Sequence, residues 1–331
     1  MNYKRILPAI LLIAGMSNAA FGQVNLSKVG QSTMDFQLVS ISPVASAMGE
    51  AYNAVGTGAD AIFYNPAAMA EFKSTFNVTL DYTQWIADIN YYAGAVAWNL
   101  KNYGAVGLSF LSVDYGTIYG TSINPLGGYI DNGPLNNVGA YSIGLSYSKY
   151  INTQFLVGGN MRFVGQNLGT NTFDNGVTIK NNASKLVFDL GVKYYTLFNG
   201  FRFGMTIRNF SSDIKREQYA EQLPLTFTMG AAIDLLDFVN KNHPKGTSLT
   251  YAMDFIHPNS HSEELNLGLE YKFLGMLALR GGYQTNRDLQ SWSVGVGVNA
   301  PVAENNVEIN YSYSKMQIFG GVNRFSVVMS F

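Results

Sequence analysis

Phe76-Asn77-Val78-Thr79-Leu80-Asp81-Tyr82-Thr83 alternates large apolar side chains with short polar ones over eight residues. In an extended chain successive side chains point to opposite faces, so this stretch has one greasy face and one wet face. A chain whose apolar faces point into lipid and whose polar faces line a lumen carries this dyad in segments of about ten residues. The beat recurs. Tyr141, Ile143, Leu145 and Tyr147 oppose Ser142, Gly144, Ser146 and Ser148, and Leu186, Phe188, Leu190 and Val192 oppose Val187, Asp189, Gly191 and Lys193. Phe201, Phe203, Met205 and Ile207 face away from Arg202, Gly204, Thr206 and Arg208, and 225–233, 249–255, 265–273, 292–298 and 307–313 repeat the pattern. Segments 91–100 and 103–113 are rich in Gly and Ala on both faces. Fourteen strands are expected, beginning near residues 74, 91, 103, 138, 155, 185, 201, 224, 247, 263, 276, 290, 307 and 322.

Composition agrees. The 331 residues are 47% hydrophobic, yet only the N-terminus holds a sustained apolar run, and charged residues make up 13% where about 25% is usual. Residues 1–22 read as a secretory signal peptide: Lys4 and Arg5, an apolar core from Ile6 to Gly15, then Ala20-Phe21-Gly22. An exported membrane chain without a spanning helix must close its sheet, because an open edge in lipid leaves backbone groups unpaired. The expected class is therefore all-β: a transmembrane antiparallel barrel of about 14 strands in a Gram-negative outer membrane, with outer-membrane lipid around it. Domains are expected at 1–22 (signal), 23–73 (N-terminal segment and hatch) and 74–331 (barrel).

Connection lengths supply a second test. With the barrel ends in the periplasm, odd connections should be external and longer. Connections at 101–102, 150–154, 197–200 and 274–275 are tight, whereas 114–137, 167–184 and 211–223 are long; 235–245 departs from the rule as a periplasmic excursion or a miscounted strand. The last strand places Phe325, Val327, Met329 and Phe331 on one face, and a terminal aromatic such as Phe331 resembles the signal read by barrel assembly machinery.

Before the strands, residues 42–72 lose the period-2 beat and become rich in small residues, including Ala47-Met48-Gly49, Ala59-Asp60-Ala61 and Asn65-Pro66-Ala67-Ala68. Small residues let backbones approach closely, which suits a plug threaded through a lumen. Asn65 followed by Pro66 is a helix start, the amide oxygen capping an orphan N–H and proline requiring no donor. A short helix 66–72 is expected. The inward positions hold six acids (Asp81, Asp189, Asp234, Asp254, Glu270, Glu308) and six bases (Arg162, Lys193, Arg202, Arg208, Lys272, Arg280). A selective pore favours one sign. The balanced set either cross-links wall and plug or stands independently in a wet lumen.

Other function classes fit poorly. Net charge is −1, so no basic stripe marks a nucleic-acid binder, and without cysteine there is neither disulfide nor thiolate chemistry. Gly56-Thr57-Gly58-Ala59-Asp60-Ala61 follows no apolar strand of a βαβ unit, so it is not a dinucleotide fingerprint. His257 and His261 flank the turn Pro258-Asn259-Ser260 without a third ligand, His243 falls at the other end, and there is no Gly-x-Ser-x-Gly elbow. Neither an enzyme nor a cofactor is expected.

The 42–72 stretch, with Thr83-Gln84-Trp85-Ile86-Ala87-Asp88-Ile89, Arg208-Asn209-Phe210, Leu223-Pro224, Leu279-Arg280-Gly281-Gly282-Tyr283 and the ending from Asn310-Tyr311-Ser312-Tyr313, resembles the FadL-like barrels, particularly the PorV/PorQ family. The resemblance covers essentially the whole mature chain. It implies a hatch containing Met48, Gly49, Asn65, Pro66 and Ala67. It further implies a component of the type IX secretion system that takes cargo proteins, by their C-terminal signal domain, from the translocon barrel to the attachment machinery. FadL-like relatives instead pass hydrophobic molecules through a lateral opening. A carrier needs an external protein-binding surface, for which Ile118, Tyr119, Ile123, Leu126, Tyr129 and Ile130 are the candidates. A transporter needs an apolar pocket continuous with a kink in the wall.

Overall fold

A computed structural model describes residues 32–135, 138–172, 176–196, 198–215, 219–239, 243–287, 289–302 and 305–331. The expected signal peptide lies outside the described residues. Among the described residues eighteen strands are formed: β1 (Phe76–Gln84), β2 (Asn90–Asn99), β3 (Ala105–Asp114), β4 (Tyr119–Ile123), β5 (Tyr129–Pro134), β6 (Gly139–Tyr150), β7 (Phe155–Thr172), β8 (Thr178–Tyr195) and β9 (Arg202–Phe210) in the first half. The second half adds β10 (Ile214–Lys215), β11 (Ala220–Glu221), β12 (Thr226–Asp234), β13 (Ser248–Pro258), β14 (Glu264–Phe273), β15 (Leu277–Gln284), β16 (Gln290–Val302), β17 (Asn305–Met316) and β18 (Gly320–Ser330). Fourteen of them close into one antiparallel barrel in which β1 pairs with β18; β4–β5 and β10–β11 are separate two-stranded hairpins.

The dyad fixes which face is which. Leu80, Ile143, Leu145, Leu190 and Ile309 stand exposed on the outside, while Thr79, Asp81, Ser142, Ser146 and Asn310 are buried inside. Apolar surface outward and polar surface inward is the reverse of a water-soluble fold, and it is the arrangement that lipid imposes. The chain is an outer-membrane β-barrel. At the short-turn end the seam is completed by the last residue: Phe331 donates its N–H to Phe76 O (3.0 Å), and its carbonyl accepts from Thr75 N (2.7 Å).

One connection differs from expectation. Most of segment 167–184 is strand: β7 runs to Thr172 and β8 starts at Thr178, pairing past the point where β9 ends. At 235–245, where an excursion or a miscounted strand was expected, the described residues carry a helical turn, Leu236–Val239, initiated where Asp234 Oδ1 accepts from Leu236 N (3.1 Å).

The plug occupies the lumen. A five-residue helix, α1 (Pro43–Ala47), is capped by Ser42, and 3₁₀ turns form at Asp35–Leu38, Ala59–Phe63 and Pro66–Ala70. The last of these is tighter and shorter than the helix 66–72 expected; it ends at Glu71, five residues before β1 begins. The described chain begins at the long-loop end, where Ser32 bridges Gln222, and descends to enter β1 at the short-turn end. Ala95, Ala97, Ala105 and Gly107 line β2 and β3 because Ile62 and Met69 of the plug press on them: a Cβ on Gly107 would lie 2.5 Å from Met69 sulfur. The Gly- and Ala-rich inner faces that blur the alternation of 91–113 are the plug's seat.

Candidate functional site

The hatch residues sit on two walls. Asn65, fully buried, uses its side-chain oxygen to accept from Ala67 N (3.1 Å) and its amide to donate to Asn53 O (3.0 Å) and Val192 O (3.1 Å), so one side chain caps a turn and bolts it to β8. Pro66 and Ala67 lie against Gly158 of β7, and Ala67 O accepts from Ser148 Oγ. Met48 and Gly49 press on Gly268 and Gly282 of β14 and β15; Gly49 has φ 61°, which glycine adopts without cost. Ile118, Tyr119, Ile123, Leu126, Tyr129 and Ile130 lie apart from all of these, exposed on or beside the β4–β5 hairpin beyond the rim.

Charges are mostly tied. Arg162 is bidentate on Asp189 (2.7 and 2.8 Å), and Arg280 spans Glu270 (2.7 Å) and Glu308 (3.3 Å). Lys193 reaches the hatch at Glu71 (2.6 Å), while Arg208 and Arg202 donate to the hatch carbonyls of Phe63 and Ala54. Arg324 is an anchor the sequence reading passed over: fully buried, it donates to Ser40 O (2.8 Å) and Ser314 Oγ (2.9 Å) and lies over the Trp85 ring. Its parity with the buried Val322 and Ser326 would have placed it inside. Within the hatch, burial raises the Asp60 carboxyl to about 6, against the pull of hydrogen bonds from Ser42 Oγ and Tyr52 OH. The histidines are scattered: His243 contacts Asp237, His257 Glu263 and His261 Glu264, and among the described residues no three His, Asp or Glu gather as a metal site.

One stretch of inner wall breaks the polar-inside pattern. Towards the long-loop end Tyr91, Leu111, Val113, Ala140, Val164 and Val187 face inward from β2, β3, β6, β7 and β8, and they form one buried apolar cluster with Met34, Phe36, Ile214 and Leu223. Sequence alternation shows Leu111, Val113, Val164 and Val187 at lumenal parity, but only the fold reveals that they adjoin.

Beside this cluster the wall is notched. β9 stops at Phe210, paired with Phe188, whereas β8 runs on outward, so 178–187 has no β9 partner along that edge. Just below, Arg208 and Asn209 together oppose the single residue Asp189, a bulge in which Asn209 takes φ 63°. Asp189 closes it, accepting from Asn209 N (2.8 Å) while it holds Arg162, and Asn209 Nδ2 donates to Pro224 O (3.0 Å). On the outer face Phe163, Leu186, Phe188 and Phe210 line a groove of about 590 Å³. On the inner face lies a cavity of about 60 Å³ between hatch and wall, with mixed polar and apolar lining and bordered by Arg162, Asp189 and Asn209. At this notch apolar surface lies on both sides of the sheet, with the Arg162, Asp189 and Asn209 hydrogen bonds between them.

No protein-family model matches the chain, and no curated protein is similar to it in sequence. Solved structures are similar in fold. The toluene transporter TbuX of Ralstonia pickettii superposes with a TM-score of 0.56 at 14% identity, over 89% of this chain and 98% of that one. The toluene transporter TodX of Pseudomonas putida gives 0.56 at 13% over 87% and 96%, and a FadL homologue of Pseudomonas aeruginosa 0.54 at 13% over 88% and 98%. At such identity the likeness is one of architecture: a 14-stranded barrel with the fold of the FadL-like outer-membrane proteins.

Proposed function

We propose that the chain passes small hydrophobic molecules across the outer membrane, sheltering them in the apolar cluster around Val164 and Val187 and releasing them sideways through the notch between β8 and β9. The observation that carries this reading is the adjacency of two apolar surfaces across one thin stretch of wall: Val164 and Val187 inside, Phe163, Leu186 and Phe188 outside. Polar solutes gain nothing from such a site, whereas a molecule the size of a monoaromatic hydrocarbon gains about 25 cal/mol for each Å² of apolar surface removed from water. The architectural likeness to barrels described as toluene transporters and a monoaromatic hydrocarbon channel supports the same substrate class. Chemistry on the substrate is not part of the proposal; the site is a passage.

The test is uptake of radiolabelled toluene by cells carrying either the wild type or Val187→Asp. The substituted barrel should remain heat-modifiable, because Val187 contributes to one wall position only, and uptake should fall to the level of cells without the protein. Undiminished uptake by a folded variant excludes this route.

A second reading, delivery of secreted cargo in a type IX system as a PorV-like component between the translocon barrel and the attachment machinery, is favoured by one observation: Ile123, Leu126 and Tyr129 are largely exposed on the outer hairpin. Exposed apolar groups at a loop tip mark partner surfaces. Replacing residues 116–130 with a Gly/Ser linker should abolish surface display of secreted proteins under this reading and leave it unchanged under the first.

A further inference from the structure

We infer that the small cavity between hatch and wall binds one monovalent cation of about sodium size, held by Asp254, Asn53 and Thr206. The cavity has a volume of about 60 Å³ and these three residues line it from β13, the hatch and β9 respectively. Each is at least nine-tenths buried, at 2%, 3% and 2% exposure. Asp254 Oδ2 accepts from the backbone N–H groups of Tyr52 (3.0 Å) and Asn53 (2.8 Å), which fixes the carboxylate and leaves Oδ1 without a hydrogen bond. Asn53 donates its amide to Thr228 O (3.1 Å), which fixes the flip of that side chain and leaves its Oδ1 without one as well. Thr206 Oγ1 is the third oxygen with no partner among the described residues. A Cβ built on Gly230 would lie 2.4 Å from Asp254 Oδ1 and 3.0 Å from Asn53 Cβ, so these two side chains meet over that glycine.

Two fixed acceptors close together in a buried space cannot satisfy each other while Asp254 is ionised, and each orphaned group is costly. A positive species between them removes the conflict. Carboxylate, amide carbonyl and hydroxyl oxygens are the ligands of hard cations. One carboxylate supplies too little charge for a divalent ion, and the volume suits an ion with about one water. Around the cavity Arg162 is tied to Asp189 and Glu50 lies 3.9 Å from Arg287, while Arg208 donates to Phe63 O and stacks on Tyr64, so Asp254 has no ion-pair partner among the described residues. Such an ion would tie the hatch at Asn53 to two strands of the wall, whatever the barrel transports.

The experiment measures resistance of the hatch to limited proteolysis, and sodium binding by calorimetry, on the full chain in detergent, with NaCl titrated against choline chloride at constant ionic strength. Expected is a saturable, sodium-specific protection, with affinity at least tenfold weaker in Thr206→Val and no binding in Asp254→Asn. Thr206→Val keeps the shape of a side chain whose hydroxyl makes no bond here, so it separates ion binding from folding. Equal responses to sodium and choline, unchanged affinity in both variants, or protection that follows pH alone, as a proton shared between Asp254 and Asn53 would give, each overturn the inference.

Discussion

Asp189→Ala is the perturbation that most directly loosens the wall where the passage is placed. The carboxylate accepts from Arg162 Nε and Nη2 (2.7 and 2.8 Å), from the Asn209 backbone N–H (2.8 Å) and from Asn160 Nδ2 (3.2 Å). Removing one partner of a buried ion pair typically costs about 3–5 kcal/mol. The low end applies here, because Arg162 keeps bonds to Gln37 Oε1 (2.9 Å) and Asn209 Oδ1 (2.6 Å). The six register pairs from Leu190↔Ile207 to Tyr195↔Arg202 do not involve Asp189, so the loss stays local to the bulge. About 3 kcal/mol is roughly two orders of magnitude in a local opening equilibrium. Hydrogen exchange followed residue by residue should therefore accelerate about 100-fold at the Asn209 and Phe210 amides and not at Met205 or Phe203, with toluene uptake rising in parallel. Unchanged exchange at Asn209, or acceleration spread evenly around the barrel, refutes the idea that Asp189 is the latch.

Further outcomes concern the hatch. Asp60 binds its proton more tightly folded, at about 6 against 3.8 unfolded, so its contribution is full below about pH 4 and is lost as pH rises through 6; that span corresponds to about 3 kcal/mol. Hatch protease resistance should fall over this range, and Asp60→Asn should flatten the profile. Asn65→Ala removes a cap and two bonds to backbone carbonyls, costing about 1 kcal/mol for the cap with more for the orphaned groups, and should raise hatch cleavage while the barrel remains heat-modifiable. Gly282→Ala would place a Cβ 1.9 Å from Gly49 N and should unseat the hatch, whereas Gly281→Ala, with nothing within 4 Å, should leave it in place. Limited proteolysis of the pair reads the difference.

The barrel was legible because lipid enforces a two-residue period on every strand, and the starts read near 155, 247 and 263 fall within a residue of the observed Phe155, Ser248 and Glu264. The cap at Asn65 is likewise local information. The apolar cluster was not legible: Tyr91, Leu111, Val164 and Val187 lie on four strands and become neighbours only through register, with Phe36 delivered from the hatch. The notch escaped for a related reason. The alternation breaks there, since polar Arg208 and Asn209 stand side by side between Ile207 and Phe210, but only pairing shows that both oppose Asp189. Segment 167–184 was expected only as a long connection, yet Asn167, Asn171 and Asn182 sit in paired strand past the end of β9, with no sustained apolar alternation in the sequence to mark them.

The central claim is that hydrophobic molecules leave through the notch between β8 and β9, and closing the notch covalently tests it most directly. The chain contains no cysteine, so Ser184→Cys and Ser212→Cys, two residues that line the outer groove, supply the only thiols for a short bis-maleimide bridge. Toluene uptake by cells carrying the bridged protein should drop to background, while each single-cysteine protein treated with the same reagent keeps most of its activity. Uptake that persists with the bridge in place, in a barrel still resistant to unfolding, contradicts the account.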